Sequence, residues 1–172
     1  MANHQPANKL TLSQIIRHMN SHLDPTDLGI LNLLQENGRL TNKELAHHLN
    51  RTISPIFDRR KRLEEMGYIK KYVAVLDREK ITTCLIAFPQ IALTSHGEDA
   101  LASFQKTVIS YTEVLECYHI TGKYDFMLKI IIPDMHAYNA FLRQKIAPLE
   151  NVGNVHSSLV ISQAKAEIGL PL

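Results

Sequence analysis

The densest chemistry in the chain lies between Arg51 and Lys71, RTISPIFDRRKRLEEMGYIKK. Seven basic residues (Arg51, Arg59, Arg60, Lys61, Arg62, Lys70, Lys71) stand against three acidic ones (Asp58, Glu64, Glu65), a local net charge of +4 in a chain whose formal net is +2. Guanidinium and ammonium groups at this density hold phosphate, and Arg or Lys can also donate to guanine edges. A solvated basic helix face has the same composition. A second concentration is Thr121-Gly122-Lys123-Tyr124-Asp125. Gly122 lets a backbone approach a ligand closely or take positive φ at a turn. Asp125 can accept hydrogen bonds from an ammonium group. A hairpin Asp that caps backbone amides would occupy the same place.

The elements that must position the basic run precede it. Asp24 and Thr26 are N-cap types and Pro25 suits a first helical position. Leu28, Leu31 and Leu34, with Ile30, make an apolar stripe at helical spacing, and Asn37-Gly38 stops it. Thr41 with Glu44 forms a capping box for a second helix ending near Leu49. After a turn at Asn50-Arg51, Thr52 or Ser54 caps the basic helix, Pro55 lies in its first turn and Gly67 ends it. Tyr68 to Val75 reads as a strand. Residues 24–76 thus predict three short helices and a wing-like strand, the shape of a helix-turn-helix.

Charge divides the chain. Residues 1–81 carry 13 Lys/Arg against 9 Asp/Glu, and residues 82–172 carry 6 against 8. The first part suits a polyanion and the second would be repelled by one, so two domains with different work are expected. Cys84 and Cys117 make no CxxC and no zinc spacing, and read as buried free thiols in a reducing compartment. The N-terminus lacks an apolar signal core, and no apolar run approaches the ~18–20 residues a bilayer requires, so the expected location is cytoplasmic, away from membranes. No metal site is expected: His47 and His48 are adjacent and point apart on a helix. No phosphate loop or nucleophile elbow is present, which argues against an enzyme.

From Asp77-Arg78-Glu79-Lys80, a charged link, the pattern becomes β-α-β-β-α-β: a strand over Cys84–Leu93, a helix near Gly97–Ile109, strands over Glu113–Ile120 and Asp125–Ile132, a helix near Met135–Lys145 and a strand over Val152–Ile161. Two split βαβ units give a four-stranded antiparallel sheet with both helices on one face. The uncovered face keeps apolar residues, so a homodimer packed sheet to sheet is expected. Pro89 cannot donate to a ladder and predicts a bulge or a free edge.

Both halves, in this order, resemble the Lrp/AsnC, or feast/famine, family. The resemblance runs through Leu23, Asp24, Asp27, Ile30 and Leu31; Gln35 to Arg39; Glu44-Leu45-Ala46; Arg59, Arg62, Leu63, Glu64, Gly67 and Ile69; then Glu113-Val114 with Cys117, Thr121 to Phe126, and the closing Leu170-Pro171-Leu172. It implies an α+β protein: a winged helix-turn-helix (residues 23–76), a linker (77–82) and a ferredoxin-like βαββαβ ligand-sensing (RAM-type) domain (83–172). Residues 1–22 are an extension with no assigned function. The resemblance further implies a DNA-binding transcription regulator whose dimers assemble further, to octamers, and whose assembly and DNA binding respond to an amino acid. No other cofactor is expected.

On double-stranded DNA the expected outward residues are Ser54, Phe57, Asp58, Lys61 and Arg62, with Thr52 and Arg59 beside them, and Arg39, Lys70 and Lys71 as phosphate positioners. The expected effector residues are Thr121, Gly122, Tyr124 and Asp125, with Ser157 and Ser158 on the last strand. Two positions depart from the family pattern. Arg51 stands where an apolar residue usually precedes the cap. Arg60 stands on the inward face, four after Ile56 and three before Leu63, where an unpaired charge is costly. Arg60 must therefore snorkel or pair with an acid such as Asp27 or Glu64, or else the helix is rotated. These two residues motivate a second reading, an oligomeric amino-acid-binding module with weak or altered DNA binding. A third is a ferredoxin-like enzyme joined to an unrelated helical domain.

Overall fold

A computed structural model describes residues 22–81, 83–166 and 169–172. The N-terminal extension, apart from His22, lies outside the described residues. The chain forms two compact units: one runs to Val75 and includes Ala166–Leu172, the other is Leu76–Lys165.

The first unit contains α1 (Pro25–Glu36), α2 (Asn42–His48) and α3 (Ile53–Glu65). Each helix contributes two side chains to one core: Ile30 and Leu34, Leu45 and Ala46, Ile56 and Leu63. Ile30 and Leu34 (i, i+4) and Ile56 and Leu63 (i, i+7) lie on single helix faces, while the consecutive Leu45 and Ala46 spread across the inner side of α2; burying each large one is worth about 1.5–3 kcal/mol. Asp24 starts α1 by accepting from the backbone N–H of Thr26 (2.8 Å) and Asp27 (2.9 Å), while the Asp27 carboxylate accepts from the Asp24 N–H (3.1 Å). Thr41 and Glu44 close the expected capping box on α2. At α3, Thr52 is the cap residue, but its hydroxyl makes no cap bond, and Ser54 lies within the helix. Gly67 ends α3 in the left-handed region (φ 77°), with Gly67 N–H donating to Glu64 O and Tyr68 N–H to Leu63 O, the paired bonds of a Schellman ending.

The strand expected over Tyr68–Val75 does not form. Its apolar, β-branched composition is strand-like, but a strand needs a neighbour, and among the described residues none pairs with it. Tyr72, Val73 and Val75 are left exposed. The expected second domain ended at Leu172; instead the tail packs with the first unit. The Gln35 side-chain amide accepts from Leu170 N–H (2.6 Å) and donates to Leu170 O (3.1 Å), and Asn32 Nδ2 donates to Leu172 O (3.3 Å).

The second unit opens with a one-turn helix, α4 (Arg78–Ile81), where a plain link was expected. The expected alternation follows: β1 (Leu85–Leu93), α5 (Glu98–Val108), β2 (Val114–His119), β3 (Phe126–Ile132), α6 (Met135–Phe141) running into a π-turn (Leu142–Ile146), and β4 (Val152–Leu159). The strands pair antiparallel in the order β2-β3-β1-β4. Ala87, Ile91, Phe126, Leu128 and Ile130 on one face pack with Phe104, Val108, Tyr138, Phe141 and Ile146 from the helices. The other face carries Phe88, Met127 and Ile131, all half-buried, and Tyr118, exposed.

Pro89 corrects an expectation. It lies in a central strand, not at an edge, and no bulge forms at it. It pairs with Ser157 of β4, while the β1–β3 ladder skips Phe88 and Pro89 and resumes in the same register at Gln90. The missing N–H is thus accommodated as a local gap. The two cysteines are free and half-buried, less enclosed than expected, and burial pushes the Cys117 thiol up.

Candidate nucleic-acid interface and effector turn

Helix α3 has two chemically distinct sides. Its inward side is Ile56 and Leu63, flanked by Arg59 and Arg60. Asp27, only 1% exposed, receives Arg59 Nη1 on Oδ1 at 2.9 Å and Arg62 Nη2 on Oδ2 at 2.6 Å. Arg59 Nη1 also donates to Asp24 Oδ2. The capping box of α1 is therefore also the anchor for two arginines of α3. Burial opposes ionisation of Asp24, yet the Asp27 N–H, the Arg59 guanidinium and the Thr26 N–H together hold its carboxyl below the usual range.

Arg59 and Arg62, both expected to contact DNA, bind Asp27 and Asp24 through their guanidinium groups; Arg62 keeps the outward exposure expected of it, with 48% of its side chain open to solvent, while Arg59 is part-buried. A carboxylate removed from water requires cationic partners, and these two are in reach.

Arg60 takes one of the pairings expected for it. Nε donates to Glu64 Oε1 and to the Tyr72 hydroxyl, each at 3.1 Å, and Nη1 donates to Leu40 O at 3.1 Å. The guanidinium also lies 5.0 Å from the Tyr72 ring centroid. Tyr72 in turn donates to Glu64 Oε1 at 2.7 Å. That hydrogen bond, ahead of the Arg60 charge, holds the Glu64 carboxyl down against the effect of burial. The inward charge is paired.

The outward side carries Ser54, Phe57, Asp58 and Lys61, all exposed, with Arg62, exposed too, held at its edge by Asp27. Their spacing (i, i+3, i+4, i+7) puts them on one stripe. Lys61 makes only a long contact with Glu65 (3.7 Å), both side chains well exposed. Thr52, Arg39, Lys70 and Lys71 are exposed around this stripe in sequence and open to solvent. Arg51 is exposed as well.

At the second concentration, Thr121 and Gly122 are exposed in the β2–β3 hairpin, and Gly122 adopts φ 116°, a value only glycine holds without strain. Asp125 is pinned: Oδ2 accepts from Leu93 N–H at 2.7 Å, Oδ1 lies 3.2 Å from His96 Nε2, and its own N–H donates to Ile91 O at 2.9 Å. Of the two roles open to it, the backbone-capping one is what its geometry displays. Tyr124 is half-buried and stacks on His156, centroids 6.0 Å apart.

The expected serines do not converge. Ser157 accepts a hydrogen bond from the Tyr138 hydroxyl on the helix side. Ser158, one residue on, points to the other face. The residue that does reach the turn is His156, which pairs with Gln90 across β1–β4. Strand alternation puts His156 and Ser158 together, so the signal was in the period of two and was missed by taking adjacent residues.

A three-helix unit with a cationic third helix, joined to a βαββαβ sheet unit, defines a helix-turn-helix protein with an attached ferredoxin-like domain. Comparison with known proteins agrees with both parts. Residues 23–70 match the model for a winged helix-turn-helix DNA-binding domain, and residues 86–170 match that for the Lrp/AsnC ligand binding domain. The Bkd operon transcriptional regulator of Pseudomonas aeruginosa is 32% identical over 152 residues, 88% of this chain and 99% of that protein. The leucine-responsive regulatory protein of Escherichia coli is 33% identical over 143 residues, covering 83% and 87%. A transcriptional regulator of Neisseria meningitidis, crystallised as a complex with L-Met, superposes with a TM-score of 0.81 at 36% identity, over 87% of this chain and 96% of that one. The chain belongs to the Lrp/AsnC family, and it is a DNA-binding transcription regulator that carries the family's ligand-binding domain. Among the described residues no helix is long and apolar enough to cross a membrane.

Proposed function

We propose that the protein binds duplex DNA through the outward stripe of α3, with Arg39, Thr52, Lys70 and Lys71 on the phosphates, and that an amino acid bound by the second unit modulates this. What carries the reading is the division of α3: Arg59, Arg60 and Arg62 are tied to the protein, leaving a solvent-facing stripe of groove-sized side chains. Cationic flanks supply sequence-independent attraction through counterion release. In this reading the three arginines position α3 and read no bases.

The effector site of this proposal lies at the β2–β3 turn, where Gly122 opens the backbone and Tyr124 and His156 offer an aromatic wall. Thr121 and Ser158 supply hydroxyls, and Asp125 holds the turn in place. The relative crystallised with L-Met supports an amino acid as the effector class. Copies of the chain associate through the open sheet face, with Tyr118, Met127 and Phe88 covered, and dimers assemble further, to octamers. The cytoplasm is the setting consistent with a soluble regulator of this kind.

The competing picture, a ligand-binding module that reads DNA poorly, rests on Arg51 and on an inward Arg60. The pairing of Arg60 with Glu64, Tyr72 and Leu40 O speaks against the Arg60 part of that motive. The test is a gel-shift titration on DNA recovered from a random pool, with and without a mixture of the twenty amino acids, alongside sedimentation of the protein alone. Retarded DNA whose midpoint moves with amino acids is expected. No retardation at any protein concentration would reject the reading.

A further inference from the structure

Once Arg59, Arg60 and Arg62 are assigned to Asp27, Asp24, Glu64, Tyr72 and Leu40 O, the side chains left on the outer stripe of α3 have a particular chemistry. Ser54 is a small hydroxyl. Phe57 is an apolar ring, 51% exposed on a helix that gives it no neighbour to bury against. Asp58 is a carboxylate with no cationic partner among the described contacts of α3, where Lys61 pairs with Glu65, Arg60 with Glu64 and the exposed Arg62 with Asp27. Lys61 sits one turn after Phe57. An ionised carboxylate only accepts hydrogen bonds. Among major-groove edges the only donors are the N4 amino group of cytosine and the N6 amino group of adenine, and adenine presents N7, an acceptor, beside its donor. Carboxylate therefore meets cytosine without an opposing lone pair. The apolar mark in that groove is the C5-methyl of thymine, which a phenyl ring covers.

We infer that Asp58 and Phe57 set operator specificity, Asp58 by selecting a cytosine and Phe57 by selecting a thymine methyl on a neighbouring base pair, with affinity supplied elsewhere. This rests on the DNA-binding reading above and deepens it. Asp58 is a discriminator: its charge is repelled by phosphate and by guanine O6 and N7, so it weakens binding to every site that lacks the matching cytosine. Phe57 and Asp58 flank the same outward stripe, so their targets are assigned to neighbouring base pairs. Lys61, whose contact with Glu65 is long and solvated, is free to turn to a guanine edge or a phosphate.

The two residues make separable predictions. Asp58→Asn replaces an acceptor by the acceptor–donor pair that matches adenine N7 and N6, so the selected base pair changes from C·G to A·T. Non-specific binding should be equal to or stronger than that of the wild type, because a repelled charge is gone. Phe57→Ala should lose preference at the neighbouring T·A pair only. For a methyl contact, replacing that thymine by deoxyuridine weakens wild-type binding and leaves Phe57→Ala binding unchanged. Discrimination at each affected pair should fall by about 5- to 150-fold, the range of one good base contact. Both side chains are exposed, so thermal melts should stay at the wild-type midpoint.

The experiment is selection from a random duplex pool by wild type, Asp58→Asn and Phe57→Ala, followed by titration of the wild-type consensus and its deoxyuridine version. A changed C·G pair in the Asp58→Asn consensus, with a methyl effect confined to chains that keep Phe57, is the expected result. Wild-type enrichment with the same consensus in all three proteins would overturn the assignment while leaving the DNA-binding reading intact. No enrichment by the wild type would overturn both.

Discussion

Arg62 Nη2 lies 2.6 Å from Oδ2 of Asp27, a carboxylate 1% exposed on the first helix of the DNA-binding unit. Arg59 reaches the other oxygen of the same group at 2.9 Å. A helix presented to a groove must hold its roll, and a two-armed tie to a buried carboxylate resists rotation in both directions. Removing Asp27 leaves two arginines without their acceptor and a cap half made. Asp27→Ala should lower unfolding free energy by about 2–4 kcal/mol, given the strength of charge-assisted hydrogen bonds and the partial exposure of both arginines. Urea titration measures it. Arg62→Ala keeps the Arg59 tie and should cost less, about 1–2 kcal/mol, and weaken all DNA sequences alike.

Arg60 invites the opposite experiment. Its partners Glu64 and Tyr72 are part-exposed, and a leucine, though shorter, occupies the same inward position between Ile56 and Leu63. Arg60→Leu should change stability by no more than about 1 kcal/mol in either direction, because the pair is part-exposed and Glu64 keeps its Tyr72 hydrogen bond and its access to water. A loss of several kcal/mol would mean that the Leu40 carbonyl depends on this donor.

Asp125 separates a structural role from an electrostatic one. Asp125→Asn retains an oxygen for Leu93 N–H, whereas Asp125→Ala leaves that amide without its partner. The alanine variant should be destabilised by about 1–2 kcal/mol and the asparagine variant by less. If the carboxylate also holds an amino acid's ammonium group, calorimetry will find binding lost in both. Binding retained by Asp125→Asn would assign the residue to the fold alone.

The acid limb of stability follows from a set of lowered carboxyls. Asp24 lies below its ordinary 3.8 and Glu44, Glu64, Glu113 and Glu116 below their ordinary 4.5. For Glu113 the principal cause is its hydrogen bond from Lys145, and for Glu116 that from Lys129. A carboxyl depressed on folding stabilises above its unfolded value, and that stability disappears as pH falls through the folded value. Stability should therefore be level in this respect above about pH 5 and decline steadily below pH 4.5, where the unfolded chain takes up protons first. Thermal melts across that window would show it; a midpoint that rises on acidification would contradict it.

The order of elements was legible because it follows from local patterns: capping boxes at Asp24 and Thr41, the glycine at 67, and alternation in the strands. The wing was not, because Tyr68–Val75 has strand composition and no partner strand among the described residues. The candidate site was half legible. Charge density located α3, but charge does not reveal which way a guanidinium points. The clue was a matched spacing: Asp24 and Asp27, three apart on one helix, meet Arg59 and Arg62, three apart on another. Reading each helix by itself concealed it. At the effector turn the same lesson holds for Tyr124 and His156, which only the strand order β2-β3-β1-β4 brings together.

In the proposed mode of binding, lysines flanking α3 hold phosphate while its arginines hold the protein. Fluorescence anisotropy on one selected duplex, repeated across salt concentrations, separates the two roles. Lys70→Gln and Lys71→Gln should each reduce the slope of log K against log salt by about 0.9 for every phosphate contact removed, while Arg60→Leu should leave the slope unchanged. Unchanged slopes in both lysine variants, with a reduced slope in Arg60→Leu, would contradict it.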